Sequence, residues 1–213
     1  MVTSYQDSNT KSWDLPDAFA ADDVRMSEHV IERYIREYTA PGDLVFDPFA
    51  GFGTVMVVAE KLGRRSIGFE IDEGRAAYAN ALLAEGSEVV ATDARDTRAG
   101  FPQADLCVSS PPYMNRGDEE NPLSGYTTPV SAYHEYISEM ASIYTRVGQN
   151  LTANGRLVIQ VQNLKNARGY TALAFDLYAA IGHGLQFVGE EVTVWTDERY
   201  GYTHGYCLMY RRI

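Results

Sequence analysis

The chain is poor in cysteine, in positive charge and in long apolar runs, and each shortage removes a class of protein. Two cysteines, Cys107 and Cys207, stand far apart in 213 residues. Neither a disulfide framework nor a thiolate metal site follows, and both read as small buried apolar residues. The four histidines (His29, His134, His183 and His204) show no ligand spacing, so no metal is expected. No run approaches the roughly 18 apolar residues of a membrane helix, and no signal-peptide pattern opens the sequence, so the chain is expected to be cytoplasmic with no membrane partner. Lysine and arginine number 18 against 29 aspartates and glutamates, a net charge of −11. Duplex-binding proteins draw affinity from rows of cations at phosphates, and here only scattered candidates such as Arg64, Arg65, Arg95, Arg98, Arg116, Arg211 and Arg212 are available. With 45% hydrophobic residues the chain can bury one sizeable core. Residues 1–23 read as an N-terminal extension, loose to about Lys11, and residues 24–213 as a single domain.

Proline is also scarce, and the two that are adjacent carry the most information. Ser110-Pro111-Pro112-Tyr113 closes the apolar run Asp105-Leu106-Cys107-Val108-Ser109. Two prolines in a row forbid both helix and further ladder pairing, and each holds the preceding residue out of the helical region. A short buried strand therefore ends in a rigid corner that displays the Ser110 hydroxyl, the Pro111 carbonyl and the Tyr113 ring. In open α/β sheets ligands bind at such strand ends. The corner suits holding a flat amino group.

A second constellation lies upstream. Leu44-Val45-Phe46 leads into Asp47-Pro48-Phe49-Ala50-Gly51-Phe52-Gly53-Thr54, followed by Val55 to Leu62 at helical spacing and Gly63 as a stop. Strand, glycine turn and helix in that order form a ligand cradle, with N–H groups at the helix start available to a carboxylate. The next strand, Arg65 to Phe69, ends on Glu70, about 20 residues on, where an acid hydrogen-bonds ribose hydroxyls in nucleoside-binding folds. Glu88 to Ala91 then ends near Asp93, a further strand-end acid able to reach an adenine amino group.

Strands are expected near 43–47, 65–70, 88–91, 104–109, 156–162, 185–195 and 205–212. Helices are expected near 54–62, 73–84, 131–148 and 171–181, with one more before the first strand. Such alternation predicts an α/β fold with a mostly parallel sheet and helices on both faces. The last two strands, joined only by the turn around 196–203, should pair antiparallel. Met114 to Val130 is a long acidic loop over the proline corner, expected to act as a lid or substrate contact.

Together, Asp47 to Thr54, Gly68-Phe69-Glu70-Ile71-Asp72 and Ser110-Pro111-Pro112-Tyr113 resemble the S-adenosylmethionine-dependent DNA amino-methyltransferases, which methylate adenine N6 or cytosine N4. The resemblance covers roughly residues 24–213. It implies a Rossmann-like class I methyltransferase fold with a seven-stranded sheet, and S-adenosyl-L-methionine as cofactor. It also implies a cofactor site of Asp47, Pro48, Phe49, Ala50, Gly51, Gly53, Thr54, Glu70, Ile71 and Asp93, and a catalytic corner of Ser110, Pro111, Pro112 and Tyr113. Ser27 to Ile35, with Ser27 and His29 at its start, resembles the helix that helps hold the methionine end of the cofactor. Leu151 to Ile159 resembles the family's turn into its fifth strand. Serine before Pro-Pro-Tyr is most similar to the cytosine-N4 members.

One departure from the family is plain: no segment is free to serve as a target-recognition domain. Three readings stay open. The chain is a nucleobase amino-methyltransferase, an N-methyltransferase for another planar nitrogen (an RNA base, a side-chain amide or a small metabolite), or a cofactor-binding subunit that assists a partner. The expected partner is nucleic acid, DNA first, with its target base flipped out or single-stranded. A partner subunit would then supply recognition.

Overall fold

The computed structural model describes residues 3–213 except 97, 99, 125–132, 168, 183 and 198–200. Ten strands and five α-helices follow in the order β1 (Thr3–Asp7), α1 (Glu28–Tyr38), β2 (Leu44–Asp47), α2 (Thr54–Lys61), β3 (Arg65–Glu70), α3 (Glu73–Leu82), β4 (Ser87–Ala91), β5 (Ala104–Ser109), α4 (Tyr133–Asn150), β6 (Leu151–Val161), β7 (Leu164–Asn166), β8 (Gly169–Thr171), α5 (Leu173–Ala180), β9 (Leu185–Trp195) and β10 (His204–Arg212). Eight strands form one sheet in the order β1-β9-β10-β6-β5-β2-β3-β4, and β7 with β8 makes a separate small hairpin. The pairs β2–β3, β2–β5, β3–β4 and β5–β6 are parallel, while β10 runs antiparallel to both β6 and β9. The strand order reverses between β2 and β5, and the ends of those two strands carry the glycine turn and the proline corner.

The alternating burial of each strand divides the core in two. On β6, Leu157, Ile159 and Val161 pack with Met140, Tyr144 and Leu177 of α4 and α5. Val158 joins Val30, Ile31 and Tyr34 of α1 and Val55, Met56 and Ala59 of α2 on the other face. Helices thus cover both faces, as expected. Helix α1 buries positions 30, 31, 34 and 35, one stripe of a 3.6-residue period. Helix α3 starts at Asp72, whose side chain accepts from Arg75 N at 2.8 Å.

Two expectations are corrected. The sheet has eight strands and not seven, because Thr3–Asp7 adds to its edge in parallel with β9, from Thr3↔Glu191 to Asp7↔Trp195. For the same reason residues 3–7, part of the stretch expected to be loose, are held in the sheet. Asp7 is buried and accepts from Ser27 Oγ at 2.7 Å, so the strand is anchored to the start of α1. Helix α4 is described from Tyr133, and the second half of the expected lid, 125–130, lies outside the described residues. Its first half is packed, with Met114 and Leu123 in the core beside α4. Among the described residues no helix is long and apolar enough to cross a membrane, and no group of three or more His, Cys, Asp or Glu could hold a metal.

Candidate active site

The site is built at the C-terminal ends of β2, β3 and β5. The chain leaves β2 at Asp47, whose Oδ1 accepts from Phe49 N at 2.9 Å and turns the backbone sharply. Ala50 N then donates to Phe69 O at 2.8 Å, and Gly53 N to Ala50 O at 2.8 Å, closing the turn against β3. Gly53 sits at φ +79°, and a Cβ there would lie 2.9 Å from Ala79 Cβ, so only glycine lets α2 begin this close to α3. The Gly51 amide is taken by Glu70 and the Gly53 amide by Ala50 O. The free N–H groups expected at the helix start belong to the first turn of α2. There the buried Thr54 hydroxyl has no hydrogen-bond partner among the described residues.

Two buried carboxylates brace this turn. Asp47 also accepts from Ser109 Oγ at 2.6 Å, which ties the end of β2 to the end of β5. Burial raises its pKa to about 7 despite those two donors. Glu70, at the end of β3, accepts from Gly51 N at 2.9 Å and Asp72 N at 3.0 Å, and burial again pushes its pKa up.

The proline corner stands beside them. Tyr136 of α4 donates to Pro112 O at 2.9 Å and pins the corner from below, while among the described residues nothing donates to the Pro111 carbonyl. Ser110 Oγ and Tyr113 Oη are 3.2 Å apart, and Tyr113 Oη donates to Gln160 O on β6 at 3.3 Å. Burial raises the Tyr113 phenol to about 12, so it stays a neutral donor.

A cavity of about 590 Å³, within the usual range for small-molecule sites, joins the glycine turn to this corner. It is lined by Asp47 to Gly51, Thr54, Glu70, Ile71, Asp93 and all four residues Ser110–Tyr113. Three residues singled out in the sequence do not line it. Gly53 lies behind the turn, Ser27 is buried against Asp7, and the His29 side chain is 60% exposed and bonds Thr10. Asp93 reaches the wall, but both its oxygens are held by Arg95, at 3.0 Å or less to Oδ2.

Sequence reasoning missed Arg25, Gln160, Gln162, Trp195, Asp197 and Tyr202, which complete the wall. One signal was available: Gln160 interrupts the apolar run Leu157 to Val161 just before that strand ends. Gln162 follows the same strand, and the others come from the β9–β10 hairpin and the segment before α1, whose approach depends on the fold.

The sheet order with one antiparallel hairpin, and helices on both faces, defines a Rossmann-like class I methyltransferase fold. Solved structures agree. TrmN from Thermus thermophilus superposes with a TM-score of 0.64 at 20% identity, over 92% of this chain and 52% of that one. A 1,6-didemethyltoxoflavin-N1-methyltransferase from Burkholderia thailandensis, solved with S-adenosylhomocysteine, gives 0.59 at 16% identity, over 92% and 82%. Residues 3–81 match the profile of the DNA methylase family, so this stretch of the chain carries the signature of the DNA amino-methyltransferases. Type II methyltransferase M2.DpnII of Streptococcus pneumoniae is 48% identical over 46 residues, 22% of this chain and 17% of that protein. M1.MboII of Moraxella bovis is 46% identical over 54 residues, 25% of this chain. The matched stretches span only 17% and 21% of those relatives' length.

Proposed function

We propose that the chain is an S-adenosylmethionine-dependent N-methyltransferase acting on the exocyclic amine of a nucleobase, with cytosine N4 in DNA the preferred target. The observation that carries this reading is the single cavity joining the glycine turn to the Ser110–Tyr113 corner. Serine at the head of that corner supports the cytosine preference.

The residues fit the cofactor. The orphaned Thr54 hydroxyl and the two strand-end carboxylates offer polar partners along one wall, and Ile71, 42% exposed at the lip, offers apolar surface to an adenine. Asp47, Phe49, Ala50 and Gly51 hold the methionine end, Glu70 the ribose, and Ile71 with the Asp93 segment the adenine. When bound, S-adenosylmethionine supplies an activated methyl group on a sulfonium.

The protein's part is orientation. An exocyclic base amine is a poor nucleophile because its lone pair is delocalised into the ring. The Ser110 hydroxyl and the Pro111 carbonyl accept its hydrogens and favour a pyramidal nitrogen, and the Tyr113 ring stacks on the base. Such alignment supplies roughly 7–11 kcal/mol of a barrier. The corner lies inside a cavity, so the base reaches it flipped out or single-stranded.

Transfer of labelled methyl from the cofactor into single-stranded oligonucleotides, followed by nucleoside analysis, tests the reading. N4-methylcytosine is the expected product. Label appearing only in RNA, protein amides or small molecules would replace it with the second reading, another planar nitrogen, which the net charge of −11 favours. DNA recognition through a partner subunit belongs to the same proposal, since the acidic chain is short of phosphate contacts.

A further inference from the structure

One polar side chain in the cavity wall has no part in the chemistry described so far. Gln160 is 8% exposed, and among the described residues nothing donates to its Oε1, although that atom is fully enclosed. Buried amide groups are nearly always paired, so an unpaired amide on a residue that lines a ligand cavity marks a bond that a ligand completes when the amide turns toward it. The position is specific. Ile159 and Val161 face α4 and α5, so Gln160 shares the opposite face with Val158. The parallel register Val108↔Val158 and Ser109↔Ile159 brings Gln160 level with the residue after Ser109, which is Ser110. Tyr113 Oη donates to the Gln160 carbonyl, and Ser110, Pro111, Tyr113 and Gln160 line the same cavity.

We propose that the Gln160 amide reads the amidine edge of the acceptor base. Its Oε1 accepts one hydrogen of the reacting amine, shared with Ser110 Oγ, and its Nε2–H donates to the unprotonated ring nitrogen beside that amine. A primary amide carries acceptor and donor on one carbon, which matches an amine next to a bare ring nitrogen, the edge common to cytosine and adenine. The same complementarity lets glutamine read adenine from the major groove. Guanine's amine lies between N1–H and N3, so on its Watson–Crick side the Gln160 donor would face a donor. This inference rests on the nucleobase reading and specifies how the base is chosen.

A double-mutant cycle between protein and substrate tests it. Single-stranded oligodeoxynucleotides carry one cytosine or one adenine, or the counterparts 3-deazacytosine and 1-deazaadenine, in which C–H replaces the ring nitrogen. On the better natural base, Gln160→Met lowers kcat/KM about 10- to 100-fold while cofactor affinity stays within about twofold. The deaza base lowers kcat/KM for the wild-type protein and brings no further loss in Gln160→Met. If Gln160→Met does not fold, Gln160→Glu keeps the acceptor oxygen, lacks the N–H donor and carries the same cycle. Equal deaza effects in wild type and variant overturn the inference and leave the proposed function standing. No transfer to either base by the wild-type protein overturns both.

Discussion

The amide of Gly51 donates to Glu70 Oε2 at 2.9 Å, so the carboxylate that ends β3 also fixes the glycine turn that follows β2. Its other oxygen accepts from Asp72 N at 3.0 Å, next to the start of α3. Loop geometry and the proposed ribose contact therefore depend on one side chain. Glu70→Ala is expected to weaken S-adenosylmethionine binding at least about tenfold and to cost about 1–3 kcal/mol of stability, since two backbone donors lose their acceptor. Glu70→Gln, which keeps one acceptor oxygen, should lose less of both. Calorimetric titration and denaturant melts measure the two effects, and unchanged affinity in Glu70→Ala would remove the ribose assignment.

Gly68 tests the packing behind the turn. A Cβ there would lie 2.6 Å from Ala50 Cβ and 2.7 Å from Met56 Cε. The methionine end can swing away, but Ala50 is held by its N–H bond to Phe69 O. Gly68→Ala should therefore displace the turn, destabilise by about 1–3 kcal/mol and weaken cofactor binding. Retained melting temperature and affinity would show that the turn gives way freely.

At the corner, Ser110→Ala and Tyr113→Ala should lower turnover far more than cofactor affinity, because the proposal sets Ser110 against the acceptor nitrogen and the Tyr113 ring against the base. Tyr113→Phe keeps the ring and loses only the bonds to Ser110 Oγ and Gln160 O, so it should retain much more activity than Tyr113→Ala. Single-turnover rates beside cofactor titrations separate the roles. Loss of cofactor binding with intact chemistry would contradict them.

Asp47 gives a pH prediction. Its pKa rises from 3.8 to about 7 on folding, so the folded protein holds a proton that the unfolded chain has released between those values. Its contribution to stability is full below pH 3.8 and is lost as pH rises through about 7. Asp47→Asn removes this dependence. Melting temperatures of the two proteins should diverge in slope between pH 4 and pH 8, with the wild type falling relative to the variant. Parallel slopes would mean that Asp47 is ionised throughout.

With a net charge of −11, the isolated chain should bind duplex DNA weakly and with strong salt dependence, and should methylate single strands in preference. Matched single- and double-stranded oligonucleotides settle the order. Tight, sequence-specific duplex binding at physiological salt by the chain alone would reverse it.

Much of this site was legible because it is written in backbone constraints. Pro111-Pro112, and glycines that turn the chain after a strand, leave marks in sequence that hold in any tertiary context, and Pro111, Pro112 and Gly51 line one cavity. Side-chain partnerships leave no such mark. Asp93 looked available to a ligand, yet Arg95, two residues on, folds back over it. His29 stood in a helix that resembles a cofactor contact, but its position on the helix turns it outward. Strand β1 escaped notice because Thr-Ser-Tyr-Gln-Asp has little apolar patterning, as befits an edge strand with three exposed positions.

That edge strand has a consequence for how the molecule is made. Thr196 N donates to Asp7 O across 189 positions of sequence, and the whole β1–β9 ladder joins segments comparably distant. A ribosome delivers residues 3–7 long before their partners at 191–195, so this border of the sheet stays open until those partners have emerged. Contacts of such separation carry the largest loop-closure entropy in the chain. Seating of the first segment is therefore expected late in folding, and it brings Asp7 against Trp195, a residue of the cavity wall.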